Sequence, residues 1–547
     1  MSTALSAPAR SALRSRFNPF SPFDRFAPLT SLLAGCMSVL AFAPFGLWPL
    51  QLFALAGLFR LVLNETSLKR SALLGWAWGL GCFAFGVYWP YVSMHRYGDL
   101  SPPLAALAVA LFALLLGSFS ALAMALANWL RSRWVAGLHL SLLLIFPACW
   151  MLAEWLRGWI LTGFPWLALG YAHTGSPLSG FAPILGVYGV GWLAAIMAGA
   201  LALLLSAFAA GRTDTRAMAT LGLLLIAGVG LRYIPWTHAA GQSISVRLLQ
   251  GNVPQEEKFQ NARLADNLAM YDAMLRAKPA DLIATPETAI DQLPQLLPPD
   301  YLPRLAVFAK ETNSHLALGI VLSDAPGIYT NSTIDLAPRL NRNNLYRYDK
   351  HHLVPFGEFI PLGFHWFVNL LNIPLGDQTA GPLPQAPFAV KDQWIMPNIC
   401  YEDLFGEEIA ENLAAGYSSG APQASILLNQ SNMGWFGQWL AVPQHLQISQ
   451  MRALETGRTV LRATNTGATA AIDPHGVVTA ELPPYTRGTL AVTIQGYTGW
   501  TPYIVAGNTA AVVLAALTLI AAGLATRKKR VESLRQEEST IRLDGDG

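Results

Sequence analysis

Three polar residues in a largely apolar chain carry the functional groups of covalent acyl chemistry. Cys400 follows a strand-like run, Trp394 to Ile399, and precedes a polar segment, so its thiol stands at a strand end, where side chains face a cleft and not a core. Glu287 lies in Ala284-Thr285-Pro286-Glu287-Thr288, where the proline stops a strand and leaves the carboxylate at its edge. Lys350 lies in Tyr348-Asp349-Lys350-His351-His352, again just past a strand run. A thiol is a weak nucleophile until a base takes its proton, which a carboxylate can do if its own pKa is raised in a desolvated site. When the thiolate attacks a carbonyl, a lysine ammonium can stabilise the developing oxyanion. Glu, Lys and Cys are therefore a sufficient set for acyl transfer through a thioester. Each also has a plainer reading: a small apolar filler for Cys400, a solvated turn residue for Glu287, a surface charge for Lys350.

The surroundings of these residues are unusual in composition. Of 547 residues, 53% are hydrophobic and 13% charged, against roughly 25% charged in soluble domains, so much of the chain does not face water. The net charge of +3 is too small to point to nucleic acid. The four cysteines are Cys36, Cys82, Cys149 and Cys400, and the first three fall in apolar runs. No pair is available for a disulfide framework, and no CxxC or Cys/His spacing suggests a metal site.

Apolar runs near the length of a membrane-spanning helix, about 20 residues, occur at Phe26–Phe45, Trp48–Leu63, Ala72–Val92, Pro102–Leu130, Val135–Leu152, Ile184–Phe208, Ala217–Leu231 and Pro502–Thr526. Eight such runs predict a polytopic α-helical membrane domain. Basic residues concentrate in alternate connections: Arg10, Arg14, Arg16 and Arg25, then Lys69 and Arg70, Arg131 and Arg133, Arg212 and Arg216, and the tail Arg527-Lys528-Lys529-Arg530. The opposite set holds Arg96, Arg157 and Arg232. The basic set marks the cytoplasmic side. The chain thus divides into a basic leader (1–25), seven spans (26–236), an outer domain (237–500), a final span (501–526) and a cytoplasmic tail (527–547). Between the fifth and sixth spans, Glu154-Trp155-Leu156-Arg157-Gly158-Trp159 and Thr162-Gly163-Phe164-Pro165-Trp166 are too rich in Gly, Pro and aromatics for an ordinary span. They read either as an interfacial or re-entrant element on the outer side, or as an aromatic belt anchoring helix ends.

The outer segment alternates strand and helix patterns. Strand runs at Ile244–Gln250, Asp281–Thr285, His315–Leu322, Trp394–Ile399, Ser425–Leu428 and Val460–Thr464 are separated by helices near Asn261–Arg276, Tyr301–Thr312, Glu407–Ala415 and Pro443–Thr456. Strands spaced by helices of this length predict an α/β layered domain.

The motifs Thr285-Pro286-Glu287, Lys350 with Leu353-Val354-Pro355-Phe356-Gly357-Glu358, and Asn398-Ile399-Cys400-Tyr401-Glu402 resemble the three catalytic motifs of the nitrilase (carbon–nitrogen hydrolase) superfamily. On this topology the chain is similar to the membrane-embedded branch, the apolipoprotein N-acyltransferases. The resemblance extends to Gln250-Gly251-Asn252-Val253-Pro254-Gln255, Ser431 to Gly437, Met451 to Glu455 and Thr464 to Gly467. It implies an αββα sandwich inserted before the last span. It also implies Glu287 as general base, Lys350 as oxyanion donor and Cys400 as the acylated nucleophile. Glu358, Tyr401 and Glu402 match supporting residues, and Trp435 and Phe436 match an apolar lid. Three positions depart from the pattern: Thr285 and Phe259 stand where the family has Trp, and Met433 where an acidic residue is common.

The implied reaction moves an acyl chain from a phospholipid to Cys400, then to the free N-terminal amine of an S-diacylglyceryl-cysteine apolipoprotein. The expected setting is the bacterial inner membrane with the catalytic domain on the periplasmic side, and no metal or cofactor is required. The nearest competing expectation is a membrane-tethered amidase that passes the acyl group to water through the same three residues. A transporter or receptor is disfavoured because the spans are nearly free of charge apart from Arg60.

Overall fold

The computed structural model describes residues 22–544, apart from 259, 340–344, 362, 364–377 and 420–421. The leader through residue 21 and Phe259 therefore lie outside the described residues. Every apolar run of the sequence forms helix. In the first half these are α1 (Pro22–Val39), α2 (Trp48–Leu63), α3 (Leu68–Gly86), α4 (Pro102–Trp134), α5 (Phe146–Arg157), α6 (Ala182–Ala209) and α7 (Thr215–Leu231). Four helical segments among the described residues are long and apolar enough to cross a membrane: Pro102–Trp134, Leu138–Arg157, Pro177–Ala209 and Thr509–Lys528. A fifth forms if α3 and its continuation Pro90–Tyr97, bent by 58°, make one span. The apolar part of α1 from Phe26, α2 and α7 are shorter. Thus the eight runs are eight apolar helices, but length and composition give only four or five of them the reach of a bilayer.

One local expectation is corrected. Glu154 and Arg157 do not sit in the connection after the fifth run; they form the last turn of α5. The connection itself is built of short turns. Ile160–Thr162, Leu169–His173 and Pro177–Phe181 are single 3₁₀ turns, and Trp166 and Tyr171 are buried while Trp159 and Leu161 are exposed. α6 breaks at Gly186, where φ is +63° and a Cβ would stand 2.2 Å from the Tyr503 ring, so only glycine fits.

The α/β domain holds two six-stranded mixed sheets. The first runs in the order β12 (Gly488–Gly499), β1 (Thr237–Gln250), β2 (Leu282–Ala284), β3 (His315–Ala325), β4 (Ile328–Leu336) and β5 (Tyr346–Asp349). The second runs β11 (Val478–Glu481), β10 (Ala470–Ile472), β9 (Thr459–Thr464), β8 (Ile426–Ser431), β7 (Gln393–Ile399) and β6 (Phe388–Val390). In each, three central strands are parallel, β1–β2–β3 and β7–β8–β9, and antiparallel strands flank them.

Strand alternation builds four layers from this pair. Val246, Leu248, Leu282 and Ala284 point inward against Ile395, Ile426, Leu428 and Leu461 of the other sheet. The intervening Ile283 and Leu316 point outward to Leu275 of α8 (Asn261–Arg276) and Leu305 of α9 (Tyr301–Thr312). Likewise Leu427 and Val460 meet Ile409 and Leu413 of α10 (Gly406–Ser419) and Ala453 of α11 (Ala441–Thr456). Burial on both faces explains the near-continuous apolar runs of the parallel strands.

α11 also ties this domain to the apolar helices. Gln444 Oε1 accepts from the Trp166 indole N–H at 2.7 Å, Gln447 Oε1 from the Ala43 N–H at 3.0 Å, and Glu455 Oε1 from the Val187 N–H at 2.7 Å. The last of these satisfies a donor freed by the break at Gly186. α12 (Thr509–Asp544) closes the chain, running from apolar residues into the basic tail.

Candidate active site

The ends of three strands bring Glu287, Lys350 and Cys400 together. β2 stops at Ala284, and Thr285-Pro286 carry the chain to Glu287; β5 stops at Asp349, immediately before Lys350; β7 stops at Ile399, immediately before Cys400. All three side chains are buried, with residue exposures of 7%, 1% and 9%. Cys400 adopts φ +52°, the left-handed region, as the chain turns sharply from strand into a 3₁₀ turn. For a non-glycine residue this conformation is strained and needs surrounding contacts to hold it.

The Lys350 ammonium donates to Glu287 Oε1 at 3.1 Å and to Glu358 Oε1 at 2.7 Å. Asn331 Nδ2 donates to the same two oxygens, at 2.8 and 3.3 Å. The other Glu287 oxygen accepts the Asn432 backbone N–H at 2.9 Å. Glu358 Oε2 in turn accepts the Val354 N–H at 2.8 Å, closing the Leu353–Glu358 loop on itself. Glu402 supports the site from below: its carboxylate accepts from the Ile399 N–H at 2.5 Å, the His351 N–H at 2.6 Å and the Tyr348 hydroxyl at 3.0 Å. It thereby clamps the end of β7 to the Lys350 loop. Tyr401 reaches away, its hydroxyl donating to the Gly163 carbonyl at 2.9 Å.

The electrostatics differ from the expectation of a carboxylate raised by desolvation. Burial pushes Glu287 up, but the ammonium groups of Lys350 and Lys258 outweigh it and hold the carboxyl below its ordinary value. Burial likewise opposes the charge on Lys350, yet the Glu287 and Glu358 carboxylates hold it protonated well above the usual range. The thiol goes the other way. Burial, then the negative charge of Glu287, pushes Cys400 up to about 12. At neutral pH the site therefore holds a neutral thiol beside an ionised carboxylate and an ammonium. That set can pass a proton from sulfur to Glu287 as the sulfur attacks, and can place a cation beside an oxyanion.

The remaining sequence candidates lie around this centre. Phe436 packs edge-on to Trp89 at 4.5 Å and Trp435 edge-on to Tyr97 at 5.6 Å, both against elements that belong to the apolar half. Thr285 is wholly buried, and its hydroxyl accepts the Gly319 N–H at 2.9 Å, so that departure faces the sheet interior. Met433 is also buried. Phe259 lies outside the described residues.

Three participants escaped sequence reasoning. Lys258 is buried and donates to the Glu287 carbonyl at 3.0 Å and the Thr288 hydroxyl at 2.6 Å, and burial pulls its pKa down to about 8. It follows Asn252-Val253-Pro254-Gln255 by three residues, a proximity that could have flagged it. Asn331 lies mid-strand in β4 with no local signal. The Asn432 amide was visible only as part of the Ser431–Gly437 stretch.

This geometry finds its context among known proteins. The apolipoprotein N-acyltransferase N-terminal domain signature matches residues 34–200, and the carbon–nitrogen hydrolase signature matches residues 245–503. An apolipoprotein N-acyltransferase of Ralstonia nicotianae is 48% identical over 508 residues, covering 92% of this chain and 94% of its own. One from Bordetella bronchiseptica is 42% identical over 92% of this chain and 97% of its own. One from Nitrosomonas europaea is 41% identical over 93% and 99%. Both halves match in order, and each of these relatives aligns over more than nine-tenths of this chain; the chain belongs to the apolipoprotein N-acyltransferase family.

Proposed function

We propose that this enzyme N-acylates apolipoproteins, moving an acyl chain from a membrane phospholipid through a thioester on Cys400 to the free N-terminal amine of an S-diacylglyceryl cysteine. The observation that carries this reading is the convergence of a buried thiol, an ionised carboxylate and an ammonium in a chain of this family.

In the first half-reaction Glu287 takes the thiol proton as sulfur attacks the ester carbonyl. Lys350 stabilises the oxyanion, and the proton returns from Glu287 to the departing lysophospholipid oxygen. In the second, the amine attacks the thioester, Glu287 receives a proton from nitrogen, and sulfur leaves to regain a proton as thiol. Glu358, Glu402 and Tyr401 hold these groups in place, and Trp435 and Phe436 face the lipid substrates. The proposed setting is the bacterial inner membrane with residues 237–500 on the periplasmic side. Both substrates are bilayer lipids, so a site adjoining apolar helices meets them without extraction into water.

The test is direct. Incubation of the purified protein with phospholipid should add one acyl mass to the peptide containing Cys400, and a diacylated lipopeptide should discharge it as N-acyl product. An unmodified Cys400, free fatty acid as the sole product, or a Cys400→Ala protein that still makes N-acyl lipopeptide would overturn the mechanism. For topology, a reporter fused after Ala239 should be active only outside the cytoplasm.

A further inference from the structure

The strain at Cys400 raises the question of what holds it. Asn429 Nδ2 of β8 reaches the Cys400 carbonyl at 3.5 Å, and the shorter contact comes from a helix. His445, fully buried on α11, places Nε2 3.2 Å from the carbonyl oxygen of Cys400. Its other nitrogen, Nδ1, lies 2.7 Å from an Arg462 guanidinium nitrogen. A guanidinium only donates, so Nδ1 must accept and the proton must sit on Nε2. His445 therefore donates Nε2–H to the Cys400 carbonyl. Arg462 is itself fixed, donating to Asp403 at 3.2 Å, to the Ala468 carbonyl at 3.1 Å and to the Ser449 hydroxyl. Asp403 sits three residues past the nucleophile, in the same 3₁₀ turn. The loop thus runs from the nucleophile turn through Asp403, Arg462 and His445 and back to the nucleophile's own carbonyl.

We infer that His445 is a positioning residue for the nucleophile. Because a peptide unit is planar, holding the Cys400 carbonyl fixes ψ at Cys400 and with it the direction in which the thiol projects toward Glu287 and Lys350. The left-handed turn alone would relax; the hydrogen bond keeps it in the reactive geometry. Burial, then the Arg462 charge, holds His445 neutral, so the donor is present across the whole working pH range. The preceding residue adds a second consequence. Gln444 accepts from Trp166 of the apolar half at 2.7 Å, and the Trp166 ring stacks on His445 at 5.8 Å. Adjacent residues of α11 therefore dock the domain on the apolar helices and aim its thiol.

The role rests on Cys400 being the nucleophile, so the test reads thiol chemistry separately from acyl transfer. His445→Gln keeps a donor at a reach similar to Nε2, whereas His445→Met keeps the length and volume without one. Alkylation of Cys400 by iodoacetamide and single-turnover acylation by phospholipid should both fall about 10²-fold in the Met variant, the scale of a roughly 1 Å misplacement. The Gln variant should stay within about tenfold of the native enzyme, with KM for the lipid little changed in either. Should the Met variant not fold, His445→Asn, whose donor is too short to reach, replaces it with the same expected loss. Equal rates for the donor-bearing and donor-less variants would overturn the inference. Loss of acylation with native alkylation would also overturn it, because the thiol would still be correctly aimed. Alkylation patterns as expected with no acyl-enzyme in the native protein would instead leave His445 in its role and sink the proposed acyl transfer.

Discussion

The Tyr401 hydroxyl donates to the backbone carbonyl of Gly163 at 2.9 Å, so the residue following Cys400 is bonded to a turn 238 positions earlier in the chain. Tyr401→Phe should leave that carbonyl without this partner. An unsatisfied buried acceptor costs about 1–3 kcal/mol. We expect a lowered melting temperature in detergent and a turnover reduced about tenfold. A variant indistinguishable from the native enzyme in both would show that the two parts need no such tie.

Removing the base separates two effects on the thiol. Glu287→Gln should slow Cys400 alkylation at neutral pH by about 10²–10⁴-fold, the usual contribution of a positioned base. It should also let the thiol titrate at lower pH, because the Glu287 charge, after burial, pushes it up. The native protein should show no thiolate plateau near pH 9; the variant's curve should shift toward that range. Mass spectrometry of the Cys400 peptide across pH reads both.

Acid should spare the site for longer than an ordinary carboxylate would. Burial alone would raise Glu287, but Lys350 and Lys258 hold it below its usual value. A carboxyl depressed in the folded state stabilises the fold above its unfolded pKa of about 4.3 and loses that contribution as pH falls through the folded value. Glu287 itself should therefore cost Cys400 acylation by phospholipid nothing between pH 7 and about 5, the half-reaction that needs no free amine. Any loss in that window belongs to Glu402, which burial pushes up to about 7, and should vanish in Glu402→Gln. A Cys400 acylation rate still halved near pH 6 in that variant would contradict this assignment.

Lys258 gives a linked expectation. Its ammonium is one of the two cations acting on Glu287, so Lys258→Met should move the acid limb of the rate profile to higher pH. Lys350→Met should instead abolish acylation, since the oxyanion loses its cation. If both variants behaved alike, the two lysines would share one role.

Glu455 tests the seam between the halves. It accepts the Val187 N–H at 2.7 Å and pairs with Arg452 at 2.8 Å, with both side chains fully buried. Breaking such a pair by removing one charge costs roughly 3–5 kcal/mol. Glu455→Gln should melt earlier by that margin while the acylation rate of the folded fraction stays near native.

How much of this was legible before the fold was known follows from where each signal resides. Pro286 announces the end of β2, and a lone cysteine after an apolar run announces the end of β7, so Glu287 and Cys400 could be placed from neighbours alone. Lys350 follows the same rule after β5. Asn331 could not be read this way. It sits in Tyr329-Thr330-Asn331-Ser332-Thr333, a polar stretch that looks like loop and becomes buried strand only because β3 and β5 flank it. His445 is equally silent locally, since its function depends on Arg462 and Cys400 arriving from other strands. In the apolar half, composition located all eight helices, but the bend after α3 and the break at Gly186 arise from packing. The sequence could not set Glu154 inside or outside α5, because Gly158 and the aromatics that follow resemble a connection from either side.

The exposed Trp159 and Leu161 sit just before Thr162 and Gly163, whose carbonyls accept from His352 Nε2 at 2.9 Å and from Tyr401. On the proposed phospholipid chemistry, an apolar prow of this kind, braced directly against Tyr401 and His352, would set the depth at which the reacting atoms meet the lipid surface. The enzyme would then work in two dimensions. Its substrate concentration would be a mole fraction in a sheet and not a molarity in a volume. Diluting phospholipid with an inert amphiphile should slow turnover in proportion, while adding buffer at constant surface composition should leave it unchanged.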